Sequence, residues 1–197
     1  MAGILGSFDP NLKQEQLAKY QVKFGVDGVH LIQRSKFFLF VKIIIPLILY
    51  ILLYTVTMIG VGYFSASDPQ VIGYSAIIGL LFVLILFLTL NFKRLLDYLM
   101  DFILITPDQI IAFNQKGIWK RSNISIETIK IKSISVSYRS WIFSLFNNGD
   151  ITFLSEWDSN NGGEIQAFYV YQPQKIKERI YEIMNTADSH THPAVND

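Results

Sequence analysis

The sequence predicts a membrane α-helical hairpin followed by a small α+β domain. Three observations carry that prediction. Two apolar runs, IIIPLILYILLYTVTMIGVGY (Ile43 to Tyr63) and VIGYSAIIGLLFVLILFLTLNF (Val71 to Phe92), contain no charged residue. Each matches the about 20 residues that an α-helix needs to cross about 30 Å of hydrocarbon. Beyond Tyr98 the apolar period shortens to that of β-strands, and at the end of the chain it returns to that of one amphipathic helix.

The composition narrows the function. The 197 residues are 51% hydrophobic, yet carry a net charge of only +1, so no strong field recruits nucleic acid. The absence of cysteine removes disulfides, thiol catalysis and thiolate metal sites. Residues 1–30 include Asp9, Glu15 and Asp27 and lack the apolar core of a cleaved signal, so the first apolar helix is expected to remain as an anchor.

Residues 1–36 read as an N-terminal arm. Within it, Pro10 can open a short helix from Asn11 to Phe24, placing Leu12, Leu17, Tyr20 and Phe24 near one side. That helix could lie on the membrane, dock on the domain, or be a solvated linker. Gly25 and Gly28 end it. Residues 37–94 form the hairpin, with spans at about 43–63 and 71–92. Arg34 and Lys36 precede it beside Phe37, Phe38 and Phe40, an interfacial mixture, and Lys93 and Arg94 close it. The intervening FSASDPQ has no cation, so the positive-inside rule places both termini in the cytoplasm. Ser75 and Gly79 form a small-xxx-small pair, suited to packing the hairpin on itself or to dimerisation.

Strands are expected at Met100 to Thr106, Gln109 to Asn114, Ile118 to Ile126 and Ile131 to Ser137, with a bend at Glu127-Thr128 where the apolar phase slips. SWIFSLFNNGD (Ser140 to Asp150) predicts a short helix stopped at Asn148-Gly149, with Trp141 and Phe143 beneath it in the core. Strands at Ile151 to Glu156 and Ile165 to Tyr171 flank a polar tip. From Gln174 to Asn185, Ile176, Ile180 and Ile183 share a helical face, and residues 186–197 read as a disordered tail.

Together these stretches resemble the bacterial pleckstrin-homology-like family in its membrane-anchored form. YLMDFILITPDQII (Tyr98 to Ile111) is similar to the opening hairpin of that family, and KGIW (Lys116 to Trp119) to its Gly-aliphatic-aromatic turn. KIKSISV (Lys130 to Val136) resembles its Lys/Arg-Ile-x-x-Val-x-Val strand, LFNNGDI (Leu145 to Ile151) its Gly-Asp signature, and Gln172-Pro173 its closing helix start. The resemblance spans about Tyr98 to Ile183. It implies an antiparallel β-sandwich or barrel over residues 98–185, capped by the C-terminal helix, in a bacterial plasma membrane protein. In that setting Gly149 and Asp150 are a structural signature: Gly149 takes a positive φ and Asp150 bonds free backbone N–H groups.

No catalytic residue, cofactor or metal site is expected, because no nucleophile-base set, phosphate loop or His-Glu-x-x-His motif occurs. Asp188, His190 and His192 cluster in the tail without a supporting shell. The first hairpin loop, Thr106-Pro107-Asp108-Gln109, lacks the cations that phosphoinositide recognition uses. Lys116, Lys120 and Arg121 are the candidates for contact with anionic lipid, and Trp119 and Trp157 for contact with a partner. The expected function is a non-catalytic, membrane-integral scaffold or adaptor that binds a protein or itself. The alternatives are a membrane-surface sensor and an accessory subunit of a membrane complex.

Overall fold

The four-residue strand β1 (His30–Gln33) pairs antiparallel with β2 (Phe102–Ile105), matching Gln33 with Phe102 and His30 with Ile105. Everything between these partners is thus an insertion within one sheet. The computed structural model describes residues 11–64, 69–116, 120–156 and 163–191. These form two units, one from Phe38 to Leu96 and the other from the residues on both sides of that segment. By its contacts, the α+β unit takes in the described residues before Phe38 as well as those from Asp97 on. HLIQ is too short to show a period, and its partner lies beyond the insertion.

In the domain, β1, β2, β3 (Gln109–Lys116) and β4 (Lys120–Glu127) form one antiparallel sheet in that order. A 3-10 turn, Thr128–Lys130, leads from the predicted bend into β5 (Ile131–Ser137). The second antiparallel sheet is β5, β6 (Asn148–Ser155) and β7 (Glu164–Tyr171). Their inner faces share one core. Ile32, Ile103, Ile105 and Ile110 meet Ile134, Ile151, Phe153 and Ile165, and Ile180 and Ile183 from the closing helix seal it. Each such side chain contributes roughly 1.5–3 kcal/mol relative to exposure.

The first sheet is covered on its other face too. Phe102, Leu104, Ile111 and Phe113 pack with Val29 under Leu12, Leu17, Tyr20 and Phe24 of α1 (Leu12–Phe24). The FILI of β2 is buried at every position because alternate residues serve two cores. α1 therefore docks on the domain. The closing helix, α6 in chain order, runs Pro173–Thr191, past the expected end at Asn185. Thr186 to His190 contain neither glycine nor proline, so nothing local stops the helix before Pro193.

His30 sits where β1 meets α6. Burial, and then the nearby Arg179 guanidinium, hold its pKa below the ordinary value. The unfolded chain therefore takes up this proton at higher pH than the folded chain. Stability should be complete above about pH 6.5 and fall as the pH drops below it. His30→Gln should flatten that part of the profile, as read from urea midpoints between pH 7.5 and 5.5.

The second unit consists of two helical segments that are long and apolar enough to cross a membrane, Lys36–Tyr63 and Ile72–Met100. Only 6% of the apolar window of each is buried within the protein, which is unlike the core helix of a soluble fold. The first segment comprises α2 (Lys36–Leu39), a π-helical turn (Phe40–Ile44) and α3 (Ile45–Phe64); the second lies in α4 (Pro69–Met100). They pack antiparallel. Tyr54 donates to the Ala76 carbonyl at 2.9 Å, and a Cβ on Gly79 would lie 3.2 Å from the Tyr54 ring. Gly79 thus serves packing within the hairpin. Nearer the base, Arg94 Nη1 donates to the Lys42 carbonyl in the π-turn (3.2 Å) and to Asn91 Oδ1 (2.9 Å).

Candidate functional site

A polar network surrounds the Gly-Asp pair. α5 (Trp141–Leu145) starts at Ser140, whose carbonyl accepts Phe143 N–H at 3.0 Å. The chain leaves α5 through Asn147, at φ 49°, a left-handed conformation that asparagine tolerates. The expectation that Gly149 supplies the positive φ is corrected here. Gly149 is required by close approach instead. A Cβ there would lie 2.8 Å from the Ser137 carbonyl oxygen and 3.0 Å from Pro173 Cγ. Side-chain bulk is excluded because β5, β6 and the start of α6 converge on it.

Asp150 is buried, and both its oxygens are engaged. Oδ1 accepts the Tyr169 N–H at 3.0 Å, and Oδ2 accepts Arg139 Nε at 2.6 Å. Tyr169 has φ 59° and lies opposite the register shift between Gly149 and Ile151. The carboxylate supplies an acceptor for an N–H that the irregular ladder leaves over. The Arg139 guanidinium also lies over the rings of Phe168 (4.8 Å) and Tyr169 (5.1 Å).

The same corner holds the chain just before the insertion. Ser35 N–H donates to the Tyr169 carbonyl at 2.7 Å, and Ser35 Oγ bonds Asn148 Oδ1. Asn148 Nδ2 in turn donates to the Phe146 carbonyl at 2.6 Å. Phe37, the last residue of the domain before the apolar unit, stacks on Phe146 (5.0 Å) and meets Phe143 edge-on (5.3 Å). Alongside, Arg34 pairs with Asp101 at 2.7 Å, and Asp101 Oδ1 accepts Gln115 N–H at 2.7 Å. Both carboxylates spend their oxygens on internal donors, so the arrangement suits clamping rather than proton transfer.

The corner exposes an apolar face. Phe143 turns inward toward Phe37 and Tyr169. Trp141 does not. It is 75% exposed, contrary to the core position expected of it, because a five-residue helix has one inward face and Phe143 takes it. Leu145 (71%), Phe146 (51%) and Ile142 (41%) are exposed beside it.

The other candidates are placed by their backbone. The β3–β4 register sets Lys116 opposite Lys120 and Gln115 opposite Arg121. β3 runs past the Phe113 that pairs with Phe102, so these three positions lie at the β3–β4 turn end of the sheet. The loop Thr106 to Gln109 lies at the opposite end of β2. Trp119 and Trp157 fall outside the described residues, as does His192. Asp188 and His190 lie on the last turns of α6. Among the described residues, no three His, Asp or Glu come together as a metal would require. Reading the sequence missed Ser35, Arg139 and Tyr169. Only NNGD advertised the corner, since the partners of Asp150 are remote in sequence.

The fold and corner define an α+β protein. Two antiparallel sheets share a core, a helix closes it, and a two-helix apolar insert interrupts the first sheet. No family model matches the chain, and no curated protein is found similar to it. Among solved structures, the chain is similar to a DUF1696 family protein with a pleckstrin-homology domain from Shewanella loihica PV-4. The two are 15% identical, with a TM-score of 0.32 over 43% of this chain and 70% of that one.

Proposed function

We propose that this chain is a non-catalytic, membrane-integral scaffold of pleckstrin-homology-like architecture, presenting its α+β domain to a protein partner or to a second copy at the inner face of a bacterial plasma membrane. The observation that supports this most directly is the pairing of β1 with β2 across the apolar insertion. A strand pair cannot be divided by a bilayer. Whatever joins Gln33 to Phe102 must leave and return on one side, and two spans do so. Arg34, Lys36, Lys93 and Arg94 at the ends of the insertion favour the cytoplasmic side. The domain's carboxylates act as clamps, which fits a platform better than a catalyst. Exposed sheet edges, β5 among them, offer backbone groups to an added strand.

The test has two parts. A reporter placed at Ser67 should be exported and one after Asp197 retained; the reverse pattern would overturn the topology. Cross-linking in native membranes followed by mass spectrometry should recover specific protein or self cross-links from the domain. Cross-links to lipid alone would favour the second reading.

That second reading is contact with anionic lipid through Lys116, Lys120 and Arg121. The register that places these three positions at one end of the first sheet supports it. Each cation near an anionic surface is worth about 1 kcal/mol. Lys120→Glu with Arg121→Glu should then abolish flotation of the span-free domain with phosphatidylglycerol vesicles. Flotation unchanged by the double substitution would exclude it.

A further inference from the structure

We infer that α5 is a second membrane contact, with Trp141, Ile142, Leu145 and Phe146 seated in the headgroup layer of the bilayer. This rests on the reading that the apolar helices span that bilayer. Three observations converge on it.

The first is concentration. Elsewhere in the domain, exposed large apolar residues such as Val22, Ile129, Leu154 and Tyr181 are scattered along separate elements. At α5 four of them occur within six residues, Trp141, Ile142, Leu145 and Phe146, and Tyr138 is 38% exposed just before. Clustered exposure of this kind marks a contact surface, whereas single exposed apolar residues do not. Phe143 and Phe146 join this segment to Phe37, while Trp141, Ile142 and Leu145 are exposed beside them.

The second is position. Phe37 stacks on Phe146, and the next residue, Phe38, begins the apolar unit. Ser35 is bonded to Asn148 and to the Tyr169 backbone, so this approach is held by hydrogen bonds as well as by ring contact. Phe37, the ring on which Phe146 stacks, is therefore one residue along the chain, about 1.5 Å of helical rise, from the start of the apolar unit.

The third is chemistry. Between Ser137 and Gly149 there is no acidic residue, and Arg139 is the one charge. Exposed Lys36 precedes Phe37. Tryptophan and tyrosine at the edge of an apolar patch, with cations beside them, match the polar-apolar boundary of a bilayer. A partner protein would meet the same patch only by competing with lipid at that boundary.

The chain has no cysteine, so single probe sites can be introduced into the intact protein without removing others. Leu145→Cys, Ile129→Cys and Leu52→Cys, each carrying an NBD fluorophore, would be reconstituted as full chains in phosphatidylcholine–phosphatidylglycerol vesicles. The quenchers are nitroxide-headgroup lipid and aqueous iodide. Ile129 is 89% exposed and precedes β5, about 20 Å along that strand from α5.

The expected result is a blue shift at Leu145 with loss of emission to nitroxide lipid, while Ile129 responds to iodide alone. Trp141→Cys is an independent probe of the same surface should Leu145→Cys fold poorly, and it should behave alike. If Leu52 lies in lipid but Leu145 responds only to iodide, the inference is overturned and the membrane reading stands. If Leu52 also lies in water, both fall. Leu145 shielded from both quenchers would assign the patch to a protein or a second copy and overturn the lipid contact. Equal lipid quenching at Leu145 and Ile129 would overturn α5 as the specific point of contact.

Discussion

A chain cut back to residues 98–197 is expected not to fold, whereas a chain in which residues 38–96 are replaced by a short Gly-Ser linker is expected to fold as a water-soluble domain. The truncation removes β1 and with it Ile32, buried to 2% in the shared core. Loss of one such aliphatic side chain costs about 2–5 kcal/mol. It also removes α1 and bares Phe102, Leu104, Ile111 and Phe113 on the outer face of the first sheet. Together these losses match or exceed the about 5–15 kcal/mol that holds a domain of this size.

The linker variant loses none of this. Gln33 and Phe102 are direct cross-strand partners, so the gap to be closed is that of a hairpin turn. A linker of about six flexible residues is ample, and lengthening it twofold would cost only about 0.6 kcal/mol. Circular dichroism and urea unfolding distinguish the two proteins. A cooperative transition in the truncated chain would show that the N-terminal arm is dispensable.

Asp150→Ala should cost about 3 kcal/mol. The substitution leaves the buried Tyr169 N–H without its acceptor, a penalty of about 1–3 kcal/mol, and releases Arg139 from its partner. Arg139 is 41% exposed, so water repays part of the second loss. Asp150→Asn separates the two effects. It keeps an oxygen for Tyr169 and gives up only the ion pair, so it should cost about 1 kcal/mol. The midpoint of urea unfolding in detergent micelles reads both. A loss below about 0.5 kcal/mol for Asp150→Ala would mean that the corner does not depend on this carboxylate.

The corner also shows why part of the site escaped reading. LFNNGDI marked Gly149 and Asp150 as structurally special. The expected reason for Gly149 was a left-handed turn, yet Asn147 makes that turn. The actual reason is a Ser137 carbonyl that would lie 2.8 Å from a Cβ, and such a distance exists only once two strands and a helix converge. The Asp150 carboxylate was expected to cap backbone N–H groups and does so, at Tyr169, which pattern alone could not single out. For Trp141 the sequence predicts a core position, but the short helix has room for only one inward ring, and Phe143 fills it.

The β-run at Phe102 to Ile105 held a signal that could have gone further. A strand with four apolar residues in succession must be covered on both faces. The second face needs a cover, and the helix ending at Phe24 was a candidate with the right side chains.

By itself the sequence determined what depends on neighbours along the chain. The two apolar helices, the β-runs of β3 and β5, the bend before β5 and the amphipathic start of α6 all follow from local period and from the residues that break it. Tertiary structure decided what depends on partners far apart in sequence. It alone joined β1 to β2 across the apolar insertion, laid α1 over the outer face of the first sheet, and turned four apolar side chains of the α5 corner outward. Pairing and packing energies become definite only when both surfaces are present, and here one of each pair lies on the far side of the insertion or in the other sheet.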